Sequence, residues 1–228
     1  MKGVLFLLLA MWAAQAQAAC RQALALGLDV SGSVNAQEYR LQLDGLAGAL
    51  ENPEVVAALL EMPDAPVRLT VFEWSGEYAQ RTLQDWVEVT DRAVVAEVAT
   101  RLRGLARAEL DPSTAIGSAK AHGARLLAGQ SDCWRQVLDL SGDGKNNTGP
   151  RPQDVRPLGV TINALIIGSP AAPGQPAPGL GELVAYFRAY VIEGEQAFVE
   201  TALGFDDFEA AMVRKLKREL QVMILSRR

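Results

Sequence analysis

The stretch Ala23-Leu24-Ala25-Leu26-Gly27-Leu28-Asp29-Val30-Ser31-Gly32-Ser33 joins an apolar run to a short run of small oxygen-bearing side chains. A short apolar run without charges is typical of a strand that is buried on both faces of a parallel sheet. The polar residues that follow then lie at the carboxyl end of the strand, where open parallel sheets bind their ligands. The stretch therefore predicts an α/β fold with a ligand site at one sheet edge.

Two later stretches carry the same kinds of side chain. Ser141-Gly142-Asp143-Gly144 follows the apolar run Val137-Leu138-Asp139-Leu140, and Thr114 lies in the loop sequence Asp111-Pro112-Ser113-Thr114-Ala115. Hydroxyls and carboxylates are hard oxygen donors that suit Mg²⁺, Mn²⁺ or Ca²⁺ and do not select zinc or copper. We predict one divalent-cation site, with Mg²⁺ favoured, from these five residues: Asp29, Ser31, Ser33, Thr114 and Asp143.

The spacing within the first stretch allows three ligands to meet. Residues at i, i+2 and i+4, here Asp29, Ser31 and Ser33, can wrap a turn around one centre, and Gly32 lets that turn close tightly. Only two of the five predicted ligands are carboxylates, so the ion should keep waters or accept an acidic group from outside. The alternative is a helix cap, in which Ser33 or Asn35 satisfies free backbone amides.

Composition restricts the remaining function classes. The 228 residues are 49% apolar and 21% charged, which is enough for one domain with a substantial core. The formal net charge is −5, and the charges are spread along the chain without a long block of either sign. A nucleic-acid surface is therefore not expected.

The amino terminus has the pattern of an export signal. Lys2 precedes an apolar stretch from Val4 to Ala14, and Ala16-Gln17-Ala18 provides a small-x-small cleavage site. We expect a signal peptide over 1–18, a single domain over 19–228, no transmembrane anchor after cleavage, and a periplasmic or secreted location. A lipoprotein with Cys20 as the modified residue is the less favoured alternative.

The two cysteines favour a disulfide over lipidation. Cys20 lies nine residues before Asp29, and Cys133 lies ten before Asp143. If both aspartates meet at one metal, the cysteines lie at matching depth on neighbouring strands, at the opposite sheet edge. An oxidising exported compartment then favours a Cys20–Cys133 disulfide. The alternative is two unpaired thiols.

Strand and helix patterns alternate along the rest of the chain, which predicts a sheet covered by helices on both faces. Pro53 should break the helical pattern of 35–60, and 79–89 should return as an antiparallel edge strand. The other predicted strands are 67–72, the segment after Trp134, 160–167 and 197–201, and the other predicted helices are 91–106, 114–127, 180–191 and 205–220.

These motifs together resemble the von Willebrand factor A domain and its metal-ion-dependent adhesion site (MIDAS). The resemblance rests on Asp-x-Ser-x-Ser after the first strand, a later threonine, and Ser-Gly-Asp-Gly after a central strand. It implies a Rossmann-like, mostly parallel sheet with one antiparallel edge strand. It also implies that the five ligands hold a divalent cation and that a glutamate or aspartate of a partner protein completes the coordination.

Two further stretches, Phe72-Glu73-Trp74-Ser75-Gly76 and the run from Ser141 to Asn147, resemble an exported bacterial branch of this superfamily without an agreed function. The threonine loop departs from the glycine-rich approach of many such domains, and Ser113 is the obvious substitute for Thr114. We expect the rim where a partner docks to include five residues: Glu73, Trp74, Ser113, Lys145 and Asn146. For Trp74, burial under a loop is an equal alternative.

An enzyme is not the favoured interpretation. A serine hydrolase needs a base beside its nucleophile, and the only histidine, His122, lies eight residues beyond Thr114 on a predicted helix. A magnesium-dependent phosphatase would usually add a second acid two residues after Asp29, where this chain has Ser31. The sequence therefore favours an exported, metal-dependent protein-binding module. The alternatives are such a hydrolase or a metal-free structural domain.

Overall fold

The computed structural model describes residues 20–168 and 179–221, and its strands form one six-stranded sheet in the order β3-β2-β1-β4-β5-β6. Numbered in chain order, the strands are β1 (Gln22–Asp29), β2 (Val67–Trp74), β3 (Gln80–Val89), β4 (Gln136–Gly142), β5 (Val160–Ile167) and β6 (Val199–Ala202). The helices are α1 (Ala36–Glu51), α2 (Pro53–Leu59), α3 (Arg92–Gly104), α4 (Ile116–Ala128), α5 (Leu180–Tyr190) and α6 (Phe208–Gln221).

The pairing of the strands confirms the predicted sheet. β1 pairs in parallel with β2 on one side and with β4 on the other, and only the β2–β3 pair is antiparallel. The register places Asp29 opposite Trp74 and Gly27 opposite Leu140. The carboxyl ends of β1, β2 and β4 therefore meet at one edge, which carries the predicted ligands Asp29 and Asp143.

Apolar side chains of β1 alternate between two cores because successive residues of a strand face opposite sides of the sheet. Leu24, Leu26 and Leu28 pack with α1, α2, α3 and α6. Ala23 and Ala25 pack with α4 and α5. A strand buried on both faces explains the uninterrupted apolar run, and the prediction of helices on both faces is confirmed.

The first helical segment divides where the sequence predicts. The Asn35 side chain accepts hydrogen bonds from the backbone N–H groups of Gln37 and Glu38, and the Glu38 carboxylate binds the Asn35 N–H in return. This capping box starts α1. Asn52 then caps α2, whose first residue is Pro53. A proline is tolerated at that position because its missing N–H has no helical partner there.

Two helices begin later than predicted. α4 begins at Ile116 rather than Thr114, and its N-cap Ala115 has no side-chain oxygen to accept a hydrogen bond. The Asn146 side chain instead accepts a hydrogen bond from Gly117 N at 3.2 Å. α6 begins at Phe208 because residues Phe205–Asp207 form a 3-10 turn. Both differences lie at helix ends, where sequence signals are weakest.

Cys20 and Cys133 form the predicted disulfide. The two residues bridge in parallel with a sequence offset of 113, which is the offset of the β1–β4 pairs such as Ala23 with Gln136. The cysteines thus continue the register of the two central strands beyond their amino-terminal ends. The bond lies at the opposite sheet edge from Asp29 and Asp143, as the spacing predicts.

The predicted signal peptide over 1–18 and most of the Gly/Pro-rich run 168–181 lie outside the described residues. Across residues 20–168 and 179–221, no helix combines the length and the apolar character that crossing a bilayer requires.

Candidate metal centre

The carboxylate of Asp29 organises the turn that follows β1. Asp29 Oδ1 accepts a hydrogen bond from Ser31 N at 2.8 Å, and both residues are fully buried. Gln42 of α1 donates from Nε2 to the Asp29 carbonyl oxygen at 2.9 Å. Both the side chain and the main chain of Asp29 are therefore fixed, and the turn directs the Ser31 and Ser33 hydroxyls to one place.

The hydroxyls of this turn reach the carboxylate that follows β4. Ser33 Oγ donates to Asp143 Oδ1 at 2.7 Å, and Ser31 Oγ lies 3.2 Å from Ser33 Oγ. These contacts join two loops that are 110 residues apart in sequence. The structure thus brings Ser31, Ser33 and Asp143 into one connected cluster of oxygens.

Thr114 is held against the same loop by its backbone. Thr114 N donates to Asn147 Oδ1 at 2.8 Å, and Asn147 N donates to the Thr114 carbonyl oxygen at 2.9 Å. A Cβ placed on Gly144 would lie 4.0 Å from Thr114 Oγ1, so the threonine hydroxyl faces the loop that carries Asp143. Thr114 is 7% exposed.

The threonine loop also contacts the turn after β1. Gly32 N donates to the Pro112 carbonyl oxygen at 2.8 Å. A Cβ on Gly32 would lie 2.9 Å from the Pro112 Cβ, which is closer than such atoms approach. Glycine is therefore needed at position 32 for the close approach of two loops. Three separate stretches of the chain meet here, and we call the five predicted ligands that they carry the oxygen cluster.

The two carboxylates of the oxygen cluster carry unsatisfied oxygens. Asp29 Oδ2 and Asp143 Oδ2 are buried and have no hydrogen-bond partner among the described residues. Burial, and then repulsion from Asp143, raise the pKa of Asp29 to about 8. Burial also raises the pKa of Asp143, against the hydrogen bond from Ser33. The site favours either bound protons or a cation, since either would neutralise buried negative charge.

The donor set fits a hard divalent cation. Carboxylate and hydroxyl oxygens are the ligands of Mg²⁺, Mn²⁺ and Ca²⁺. In the described ranges, no three His, Cys, Asp or Glu side chains gather into a metal-binding group. An ion at this edge would therefore depend on the hydroxyls as well as the two aspartates. The residues that would hold it are the five members of the oxygen cluster.

Two residues of the predicted docking rim are not at the surface. Glu73 and Trp74 are both fully buried. The expectation that Glu73 lines an exposed rim is wrong, and for Trp74 the alternative of burial holds. The Glu73 carboxylate accepts hydrogen bonds from Tyr39 Oη at 3.0 Å and from Arg81 Nε at 2.8 Å. The side chain of Trp74 packs in the core beneath α4 and α5. Both residues support the edge from below.

The other three predicted rim residues are partly exposed, and each has a local partner. Ser113 donates from N and from Oγ to Asp111 Oδ1, so its hydroxyl does not substitute for that of Thr114. Lys145 forms an ion pair with Glu182 of α5. Asn146 accepts from Gly117 N and donates to the Thr148 carbonyl oxygen at 2.9 Å.

Sequence analysis did not identify Gln42 and Asn147 as parts of the centre. Gln42 is buried; besides holding the Asp29 carbonyl, it places Oε1 3.3 Å from Ser141 Oγ. Its signal is a polar residue among the apolar positions Tyr39, Leu43 and Leu46 of one helix face. Asn147 gives no comparable signal, because asparagine between two glycines of a polar loop is ordinary turn chemistry.

His122 lies away from the oxygen cluster. Its ring packs 4.9 Å from that of Phe72 between α4 and the sheet. Burial, and then the charge of Arg125, lower the pKa of His122.

Comparison with protein families gives one match that covers nearly all of the chain. Residues 19–224 match the family described as "Protein of unknown function (DUF1194)". A comparison with curated proteins finds no match.

The fold is that of von Willebrand factor A domains, since the similar solved structures include a von Willebrand factor type A protein from Catenulispora acidiphila. It matches 88% of this chain and is itself covered to 42%, with a TM-score of 0.58 and 15% identity. Proximal thread matrix protein 1 from the mussel byssus, with a zinc-occupied MIDAS motif, matches 89% of this chain with a TM-score of 0.60 and 20% identity. The pilus adhesin SpaC of Lactobacillus rhamnosus GG matches 90% with a TM-score of 0.57 and 12% identity. The hypothetical protein BatB of Bacteroides thetaiotaomicron matches 89% with a TM-score of 0.55 and 15% identity.

The share of each neighbour that is matched differs widely. The chain spans about half the length of the mussel protein, at 46%, and 30% of the adhesin, but 98% of BatB. At these identities the likeness establishes the fold alone.

Proposed function

The chain belongs to DUF1194, a family of proteins of unknown function, and we propose that it is an exported protein-binding module that acts through a divalent cation. The cation is held by the oxygen cluster, and a glutamate or aspartate of a partner protein completes its coordination. The observation that carries the proposal is a pair of buried oxygens, Asp29 Oδ2 and Asp143 Oδ2, that have no hydrogen-bond partner in the described part of the chain and lie beside three hydroxyl-bearing side chains.

The electrostatics of the site support a cation. Two carboxylates that are both buried repel each other, and without a counterion this costs free energy that folding must supply elsewhere. Buried carboxylates that repel each other in this way are typical of functional sites rather than of helix caps. When bound, the cation would supply a Lewis-acidic centre that accepts a carboxylate oxygen from outside.

The choice of ion follows from the donors. With two carboxylates and three hydroxyls, the site offers only oxygens, which favours Mg²⁺ and leaves Mn²⁺ and Ca²⁺ as alternatives. A neighbour of the same fold carries zinc at its MIDAS motif. Zinc is therefore included among the ions to be tested.

Fold neighbours support protein binding as the activity. One neighbour is a thread matrix protein and another is a pilus adhesin. For the present chain we propose that the partner docks on the exposed part of the edge, beside Ser113, Lys145 and Asn146. The disulfide between Cys20 and Cys133 supports export, because such bonds persist in oxidising compartments.

Calorimetric titration tests the metal site first. Mg²⁺ and Mn²⁺, and then Ca²⁺ and Zn²⁺, are titrated into metal-stripped protein spanning 19–228. We expect binding to wild type and none to Asp29→Ala. Asp85→Asn is the matched control, because Asp85 is an exposed carboxylate on β3, away from the cluster. Equal binding by wild type and Asp29→Ala would refute the site.

A second experiment separates binding from catalysis. We expect wild type to capture a protein partner in the presence of Mg²⁺, to release it on addition of chelator, and to accept glutamate-containing peptide as a competitor. A generic aryl phosphate with Mg²⁺ is the probe for the alternative hydrolase. Metal-dependent turnover of this probe that is lost in Asp29→Ala would replace the binding proposal with an enzymatic one.

A further inference from the structure

Three charged side chains meet in the core on the face of the sheet that α6 covers. Lys215 Nζ of α6 lies 2.6 Å from Asp139 Oδ2 of β4 and 2.9 Å from Glu219 Oε1 of α6. Lys215 is fully buried, Glu219 is 1% exposed and Asp139 is 2% exposed. We call these three residues the buried charge cluster. It lies apart from the oxygen cluster and serves no role in the proposed function.

Polar neighbours satisfy only part of the hydrogen-bonding capacity of the buried charge cluster. Asn163 of β5 donates from Nδ2 to Glu219 Oε1 at 2.6 Å, while its Oδ1 accepts from Phe198 N at 3.0 Å. Asp139 Oδ1, Asp139 Oδ2 and Glu219 Oε2 have no hydrogen-bond partner among the described residues. Within that part of the chain, the buried Asp139 carboxylate is therefore compensated only by its ion pair with Lys215, and the Glu219 carboxylate keeps one unsatisfied oxygen.

The charges of the cluster do not balance when all three groups are ionised. One ammonium faces two carboxylates, which leaves a net negative charge in the core. Two guanidinium groups lie close to the cluster. Arg135 donates to the backbone carbonyl oxygen of Glu219 at 3.4 Å, and its charge interacts with that of Glu219, while the Arg218 guanidinium lies 3.9 Å from the centre of the Phe198 ring. Among the described residues, neither guanidinium comes within ion-pair distance of Asp139 or Glu219. An uncompensated buried charge is costly, and in proteins it is usually removed by binding a proton.

We propose that Asp139 holds a proton in the docked state, beside Lys215 and the Glu219 carboxylate, and that this proton holds α6 against the sheet. The cluster then acts as a proton-linked latch. With the proton bound, the cluster is neutral and α6 packs closely. When the proton is lost, two buried carboxylates repel each other and the docking of α6 weakens.

The direction of the pH effect follows from the environment of Asp139. Burial, and then the Glu219 carboxylate, raise the pKa of Asp139 to about 7, while Lys215 opposes this shift. An exposed aspartate has a pKa of about 4. Between these two values the docked state holds a proton that the undocked state has released, so docking weakens as the pH rises toward 7. Above that range the effect levels off.

The packing contacts of α6 connect the latch to α1 and, through α1, to the turn after β1. α6 packs against α1, where a Cβ on Gly45 would lie 3.0 Å from the Phe208 ring. α1 holds the Asp29 carbonyl through Gln42. Asp139 shares one face of β4 with Ser141, which contacts the same glutamine. The latch does not depend on a metal, so its failure and that of the metal site are separate results.

Hydrogen exchange measured at several pH values tests the latch. The opening constant of α6 is obtained from its amides after correction for intrinsic exchange rates, and α3 provides the internal reference. In wild type we expect this constant to rise by up to about tenfold per pH unit between about pH 5 and 7 relative to α3. Asp139→Asn and Glu219→Gln each remove the excess carboxylate and should remove this rise, whereas the exposed control Asp85→Asn should retain it.

The outcomes decide the proposal. A wild-type rise that is lost in either cluster variant supports the proton at Asp139. A flat wild-type profile overturns it and points to compensation by Arg135. A rise that persists in both variants also overturns it, because the titrating group then lies elsewhere. If neither variant folds, the wild-type profile decides.

Discussion

Ser33 Oγ donates a 2.7 Å hydrogen bond to Asp143 Oδ1, and this bond joins the loops that follow the two central strands of the sheet. A cap of α1 would need the Ser33 hydroxyl to accept from a backbone amide, but Asn35 performs that task. The hydroxyl is instead directed at a carboxylate, and the second oxygen of that carboxylate has no hydrogen-bond partner among the described residues. This arrangement favours a cation site over a simple cap.

We expect Asp29→Asn to leave the metal-free protein folded and to abolish its stabilisation by Mg²⁺. The amide oxygen can still accept from Ser31 N, as Asp29 Oδ1 does, but it cannot replace a carboxylate as a charged ligand. Thermal unfolding should shift upward with Mg²⁺ in wild type and in Asp85→Asn, because a ligand that binds only the native state stabilises it. An undiminished shift in Asp29→Asn would contradict the assignment.

A matched pair of substitutions at Asn147 tests how Thr114 is positioned. Asn147→Asp keeps an acceptor for Thr114 N, whereas Asn147→Leu removes it and leaves only the backbone bond to the Thr114 carbonyl. We expect the leucine variant to bind Mg²⁺ more weakly by about tenfold, which corresponds to about 1.4 kcal/mol. Calorimetry on both variants measures this difference. Equal affinities would show that the side chain of Asn147 does not position the threonine.

Glu73 should contribute to stability rather than to binding. Its carboxylate is buried between Tyr39 and Arg81, and we expect Glu73→Gln to destabilise the fold by about 1–3 kcal/mol because a charge-assisted network is weakened. Urea unfolding measures the loss. Mg²⁺ affinity should remain that of wild type. A stable Glu73→Gln variant with impaired metal binding would show instead that Glu73 contributes to the metal centre.

The disulfide should stabilise the fold without affecting the site. It closes a loop of 113 residues, for which the chain-entropy model gives about 4–5 kcal/mol. We expect the double variant Cys20→Ser/Cys133→Ser to lose up to this amount in urea unfolding. Its Mg²⁺ affinity should not change under conditions where it is folded, because the bond and the oxygen cluster lie at opposite sheet edges. A loss of affinity in folded protein would contradict this separation.

The sheet and most of the oxygen cluster follow from local sequence patterns, whereas the buried charges do not. Apolar runs locate β1 and β4, and the matching depths of Cys20 and Cys133 below the aspartates give their register. Lys215 and Glu219 lie at helical spacing on the same face of α6 as Met212 and Leu216. Their charge nevertheless argues against burial, and only the packing of α6 on the sheet shows that they are buried. The burial of Glu73 has the same kind of cause: its place at the end of β2 does not show that the side chains of Tyr39 and Arg81 enclose its carboxylate.

The buried ammonium of Lys120 should make the free energy of unfolding depend on pH. Its ammonium is fully buried and donates to the Pro152 carbonyl oxygen at 2.8 Å. Burial lowers its pKa to about 8, while Glu193 opposes the shift. An unfolded chain keeps this proton until about pH 10, so between these values the unfolded state binds more protons and stability rises with pH by at most about 1.4 kcal/mol per unit. We expect Lys120→Met to lack this contribution in urea unfolding at about pH 8 and about pH 10. The control Lys217→Met, at a residue with 30% side-chain exposure, should behave as wild type. A rise in Lys120→Met equal to that of wild type would assign the titration to another group.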